Sequence, residues 1–202
     1  MERVKVRLKG IAPLMMHNVR LANSFDRYSI ATKEISDANK KKNKTVANTQ
    51  LLARIEWEGG LYMDGGKVGL PAKCLDACFW GGAKKSNNGK QWLPGVSLSE
   101  SFYPLEINGN NNGWEESGNI PNSKLDKLFL KYHDSRIERV QKSAILRTRP
   151  IFYEWAVECA VDIDEGIINK EKVKKAIVDA GYLLGLLEKR PRYGRFEVEF
   201  LS

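Results

Sequence analysis

The sequence predicts an α+β protein: a ferredoxin-like (βαββαβ) antiparallel sheet with helices on one face and two large insertions. Three observations carry that expectation. Residues 3–9 alternate Val4, Val6 and Leu8 against Arg3, Lys5, Arg7 and Lys9, the period of a half-buried strand. Residues 156–163 alternate Val157, Cys159, Val161 and Ile163 against Glu158, Ala160 and Asp162. Between that strand and a closing alternation in RFEVEFL, the stretch from about Lys170 to Leu187 repeats Val173, Ile177, Ala180, Leu184 and Leu187 at helical steps.

The remaining elements follow in order. GIAPLMMHN leaves the first strand through Gly10 and Pro13. A polar helical pattern from Phe25 to about Lys42 runs into KKKNK, an exposed basic loop over Lys40 to Lys44. A second helix, Thr45 to Trp57, carries Leu51, Leu52 and Ile55 and is expected to stop at Gly59-Gly60. LYMDGGKVGLP signals a hairpin across Asp64-Gly65-Gly66. Pro71 then opens a helix with Leu75, Cys78 and Phe79 on its apolar side, ended by Gly81-Gly82. SNNGKQWLPG reads as a turn-rich loop, VSLSESFYPLEI as a strand and NGNNNGWEESGNIPNS as a surface loop. Leu125 to Val140 fits helix and strand equally. Pro191 forbids continuation of the last helix, and Phe196, Val198 and Phe200 face inward from the last strand.

Taken together, these give strand 3–9, helix 71–84, strand 96–107, strand 156–163, helix 170–187 and strand 194–201, one domain over residues 1–202. The insertions fall at approximately 18–70 and 108–155. The first and last strands are neighbours in this topology, so Arg3, Lys5 and Arg7 are expected to face Glu197 and Glu199 as a neutralising ladder.

Composition narrows the function. The 202 residues are 42% apolar and 29% charged, which suits a packed globule rather than a disordered chain. No apolar run reaches the length of a membrane span, and MERVKVRLKG is neither a signal nor a transit peptide, so a cytoplasmic protein is expected. Three cysteines suit reduced core positions; Cys74 and Cys78 share a helix face without further ligands nearby, and no metal or cofactor is expected. A net charge of +8 favours a polyanionic partner, nucleic acid before membrane.

The richest cationic stretch, RIERVQKSAILRTRPIF, holds Arg136, Arg139, Lys142, Arg147 and Arg149 among apolar residues. Arg147 and Arg149 precede Pro150 and are expected to be extended, aiming the same way about 6–7 Å apart. That spacing is close to the phosphate repeat of a single strand, which the arginine fork suits. The alternative is a solvated edge paired to Glu154 or Glu158. Lys84, Lys85 and Lys90 with Trp92 form another basic loop, in which Trp92 either stacks on a base or packs. For catalysis the inventory is thin: His17 and His133, the latter beside Asp134, serve either as general bases for RNA cleavage or as structural residues.

The last cluster is RPRYGRF, Arg190 to Phe196, between the last helix and the last strand. With LKGIAPLMMHN at the other end, GYLLGLLEKRPRYGRFEVEFL resembles the glycine-containing C-terminal loop of the RAMP superfamily. These are ferredoxin-like RNA-binding proteins of CRISPR systems, including backbone subunits that polymerise along guide RNA. The chain is also similar to proteins of phages and prophages. The resemblance places Gly185, Arg190, Arg192, Tyr193, Gly194 and Arg195 where that family approaches the RNA backbone. It implies a non-enzymatic protein that binds single-stranded DNA or RNA in the cytoplasm of a bacterial host, as a homo-oligomer or filament along the strand, with no membrane partner. Arg147, Arg149, Arg190, Arg192 and Arg195 would contact phosphates, and Tyr193 or Trp92 would stack on bases. Two alternatives stay open: a metal-independent RAMP-type endoribonuclease using His17 or His133, and a CRISPR-inhibiting module that docks on an acidic protein.

Overall fold

The computed structural model describes residues 1–40, 45–110, 119–140 and 143–201. Strands β1 (Glu2–Gly10) and β2 (Leu14–Met15) lead into helices α1 (Arg27–Lys40) and α2 (Val46–Gly60). The hairpin β3 (Met63–Asp64) and β4 (Lys67–Pro71) precedes α3 (Ala72–Lys85) and α4 (Gly89–Gly95). Next come β5 (Val96–Leu98), β6 (Phe102–Ile107), α5 (Asp126–Lys131), β7 (His133–Val140), β8 (Ser143–Phe152) and β9 (Trp155–Ile163). Helix α6 (Lys170–Leu183) and β10 (Phe196–Leu201) follow. The protein is α+β, and the sheets are antiparallel.

The chain divides into two compact units: Met1–Met15, Met63–Gly113 and Phe152–Ser202 make the first, Met16–Tyr62 and Trp114–Ile151 the second. The stretches expected as insertions supply most of the second.

In the first unit one sheet runs β10-β1-β9-β6-β4-β3, with β5 also paired to β9. The alternation is realised as the sequence predicts: Val4, Val6, Leu8, Val157, Cys159, Val161 and Ile163 are all buried. Helices α3 and α6 pack on each other. Phe79 of α3 meets the Phe196 ring edge-on at 6.4 Å, and Gly181 of α6 lies against the same residue, so both helices cover one face of the sheet. Only the start of β10 is inward as expected; Phe200 is 38% exposed.

Four expectations in this unit are corrected. Gly81-Gly82 does not end α3: a Cβ at Gly82 would stand 2.1 Å from the Ala176 carbonyl oxygen, so glycine is what lets α3 and α6 approach. SNNGKQWLPG is not simply a loop, because it contains α4, pinned by the buried Trp92. Helix α6 stops at Leu183 rather than Leu187. Gly185 adopts φ +76 and donates its amide to the Ala180 carbonyl, a glycine C-cap that acts before Pro191 is reached. The charge ladder also forms on the other side of β1. Register opposes Arg7 to Glu199. Even so, Arg7 donates to Glu158 at 2.7 Å and to Glu106 at 2.5 Å, and Arg3 grips Asp162 through two bonds. The reason is register: Asp162 and Glu158 lie directly opposite Arg3 and Arg7 on β9, whereas Arg3 lies beyond the paired length of β10. The Arg3 hydrogen bond holds the Asp162 carboxyl below the usual carboxylate range.

In the second unit α1 packs on α2. Helix α2 ends at Gly60, where the Gly59-Gly60 pair was expected to stop it, and a Cβ at Gly59 would press on Leu21 at 2.6 Å. Trp57 is fully buried and donates its indole N–H to the Tyr132 carbonyl at 2.8 Å. The ambiguous stretch from Leu125 to Val140 resolves into the short helix α5 followed by β7. Around Trp57, α2 buries three charged residues, Arg54, Glu56 and Glu58. Glu58 accepts from the Tyr28 hydroxyl at 2.9 Å, from Arg54 at 3.1 Å and from the Asn122 amide at 2.9 Å. Burial, with the Glu58 charge behind it, pushes the Tyr28 phenol up to about 12.

Candidate nucleic-acid interface

The loop between α6 and β10 is shaped by its backbone. Past Gly185, the Leu186 amide donates to the Gly194 carbonyl at 2.9 Å, closing the loop on itself. Three more bonds tie it to the segment after β1: Gly194 to the Pro13 carbonyl at 2.8 Å, Glu188 to Met15 at 3.2 Å, and Ile11 to the Arg195 carbonyl at 2.9 Å. Leu186 is fully buried beneath it, and the Cys78 thiol reaches the Gly185 carbonyl at 3.2 Å. Leu187 and Lys189 are held at φ +60 and +58, values rare for residues other than glycine.

This scaffold presents cations. Arg190, Arg192 and Arg195 are exposed and Tyr193 is half-buried. Among the described residues none of the three arginines forms an ion pair, in contrast to the arginines of β1.

The second predicted cluster behaves differently. Arg147 and Arg149 do aim the same way, as the alternation requires, but they line a cleft in the second unit instead of an open track. Arg149 is 9% exposed and its guanidinium is held by both oxygens of Glu138, at 2.6 and 2.9 Å. Arg147 donates to Glu56 at 2.5 Å. These partners differ from Glu154 and Glu158, the ones expected from sequence. Strand β7 offers Glu138, four positions along from the register partner of Arg149, and the buried face of α2 offers Glu56. Arg136 is paired with Asp134, Arg139 is exposed, and Lys142 lies outside the described residues, as does the run from Lys41 to Lys44.

Trp92 is corrected outright as a base-stacking residue. It is 1% exposed, donates its indole N–H to Asp76 at 2.9 Å and meets Phe79 edge-on, leaving no ring face for a base. Lys85 is exposed, and the exposed Lys84 ammonium stands 3.1 Å over the Trp80 ring. His133 binds the Phe129 carbonyl through Nδ1 at 2.8 Å and stacks on the Phe129 ring, a structural arrangement. His17 lines the same cleft as Arg147.

Sequence reasoning missed Glu56, Glu58 and Thr32. The i, i+4 spacing of Arg54 and Glu58 was the available signal for the buried network, but the same spacing is also ordinary on solvated helices. Among the described residues no cluster of metal-ligating side chains occurs, and no helix is long and apolar enough to cross a membrane. No protein-family model matches the chain, and no curated protein matches it at a significant level.

Proposed function

We propose that the protein binds single-stranded nucleic acid through the loop joining α6 to β10, on a RAMP-like ferredoxin core. The sheet order supports the core: β10-β1-β9-β6 puts the first strand between the last and the third of a βαββαβ unit, with α3 and α6 on one face and β4–β3 as an extension. The observation that carries the function is the set of three exposed, unneutralised arginines on a backbone stitched in place. Cations already paired with carboxylates, such as Arg147 and Arg149, release few counterions on meeting phosphate. Unpaired ones release about 0.7 per contact on a single strand.

In this reading the protein binds without cleaving, Tyr193 stacks beside the arginines, and copies line up along the strand as backbone subunits of the resembling family do. A phage origin fits the same resemblance. Fluorescence anisotropy with single-stranded DNA and RNA oligonucleotides over a salt series tests it. Affinity should fall steeply with salt, and labelled RNA incubated with the protein in EDTA should stay intact. Undetectable or salt-insensitive binding to both oligonucleotides refutes it.

A further inference from the structure

The cleft of the second unit has a volume of about 350 Å³, enough for one heterocycle. Its charges balance: Arg147 and Arg149 stand against Glu56 and Glu138. A bare phosphate wants net positive charge, so the balance argues for a neutral ligand that carries both donors and acceptors. Leu21 and Ala22 supply apolar wall on which a flat ring can rest.

Three polar groups in the cleft have unused capacity. Arg147 gives one N–H to Glu56, and among the described residues its Nε and second terminal nitrogen make no hydrogen bond. Thr32 lines the cleft, and its hydroxyl oxygen, cut off from solvent, has no partner among the described residues. A buried hydroxyl without a partner asks for an explanation, and an occupant is one. Glu56 in turn accepts one bond on each oxygen, from Arg147 and from the Thr148 amide at 3.0 Å, and each oxygen keeps a second lone pair.

We propose that this cleft takes one unstacked guanine base. An arginine fork beside a carboxylate offers donors and then acceptors. Guanine alone among the bases answers with the acceptors N7 and O6 followed by the donors N1–H and N2–H₂. Adenine places a donor where O6 would be and an acceptor at N1, so it meets both groups with the wrong sign. The Thr32 hydroxyl completes the set. This inference rests on the nucleic-acid reading for the source of the base, a nucleotide or a strand.

The test has two arms, each read as a preference ratio. Calorimetry compares guanosine and adenosine 5′-monophosphate. Anisotropy compares a nine-residue oligoadenylate with the same strand carrying one central guanine. The expected result is a preference of roughly tenfold or more for guanine, in line with one good bidentate pair, in at least one arm. That preference should disappear in Arg147→Lys, which keeps the charge beside Glu56 but lacks the fork. It should also disappear in Thr32→Val, which removes the unpartnered hydroxyl without changing side-chain shape and so leaves folding intact. Equal affinities in both arms, or a preference that survives both substitutions, overturns the proposal. If the oligoadenylate binds but guanine adds nothing in either arm, the cleft assignment falls and strand binding stands. If only the guanine nucleotide binds, the cleft assignment stands with a free nucleotide as its ligand and strand binding falls.

Discussion

A side chain at Gly194 would stand 2.0 Å from the carbonyl oxygen of Leu186, and Gly194 also adopts φ +73. Both constraints act at the closure of the arginine loop. Gly194→Ala should therefore cost on the order of 3 kcal/mol or more, combining left-handed backbone strain with a backbone clash. Urea unfolding measures it, and a loss below about 1 kcal/mol would show that the loop relaxes around the methyl group.

Replacing Arg190, Arg192 and Arg195 together with alanine should weaken single-strand binding and make the salt slope shallower by about 2, at about 0.7 per phosphate contact. The three side chains are exposed, so the thermal midpoint should stay close to that of the parent. Equal salt slopes for parent and triple variant would remove the loop from the interface.

The buried carboxylate of Glu58 answers three donors in the second unit. Glu58→Ala removes the buried partner of Arg54, leaving it the exposed Asp126 carboxylate and the Asn122 carbonyl, and should cost about 3 kcal/mol, the low end for a broken buried pair. Tyr28→Phe removes one bond to a charged acceptor and should cost about 1.5–3 kcal/mol. Chemical denaturation of both variants checks the order; a larger loss for Tyr28→Phe than for Glu58→Ala would contradict the network.

Burial pushes the thiols of Cys78 and Cys159 and the phenol of Tyr28 each up to about 12. Their ordinary values are 9.0, 9.0 and 10.0, so the folded protein keeps protons that the unfolded chain releases. Stability from these groups is complete below pH 9 and declines as pH rises from about 9 to 12. Urea midpoints should fall steadily from pH 9 to 11, and less steeply in Cys159→Ala than in the parent. Midpoints that hold level across that range would show that these groups titrate in the folded protein as they do in the unfolded chain.

Strand periodicity translated almost directly into structure, because Val4 to Leu8 and Val157 to Ile163 need only a covering layer on one side. Glycine was where the sequence misled. Gly59-Gly60 and Gly81-Gly82 look alike as stops, yet α2 ends at Gly60 whereas α3 runs on through Gly81-Gly82 to Lys85, as the packing at Gly82 explains. Local pattern cannot distinguish a glycine that ends a helix from one that admits a neighbour distant in the chain. At Gly185 the opposite occurred: a true stop was hidden inside an apolar repeat. Within the candidate site, the cations of RPRYGRF were legible because they are exposed and unpaired. The state of Arg147 and Arg149 was not, because Arg147 depends on Glu56, more than ninety positions away, and Arg149 on Glu138 across the β7–β8 pair.

The bond from Gly194 to Pro13 joins segments 181 positions apart in the chain. At ordinary ribosomal speeds the two are made roughly ten to forty seconds apart. Until the later one emerges, β1 lacks its β10 neighbour and the arginine loop does not yet exist. The proposed interface is therefore withheld throughout that interval. A growing chain would leave nearby single strands alone until the loop and β10 had been made.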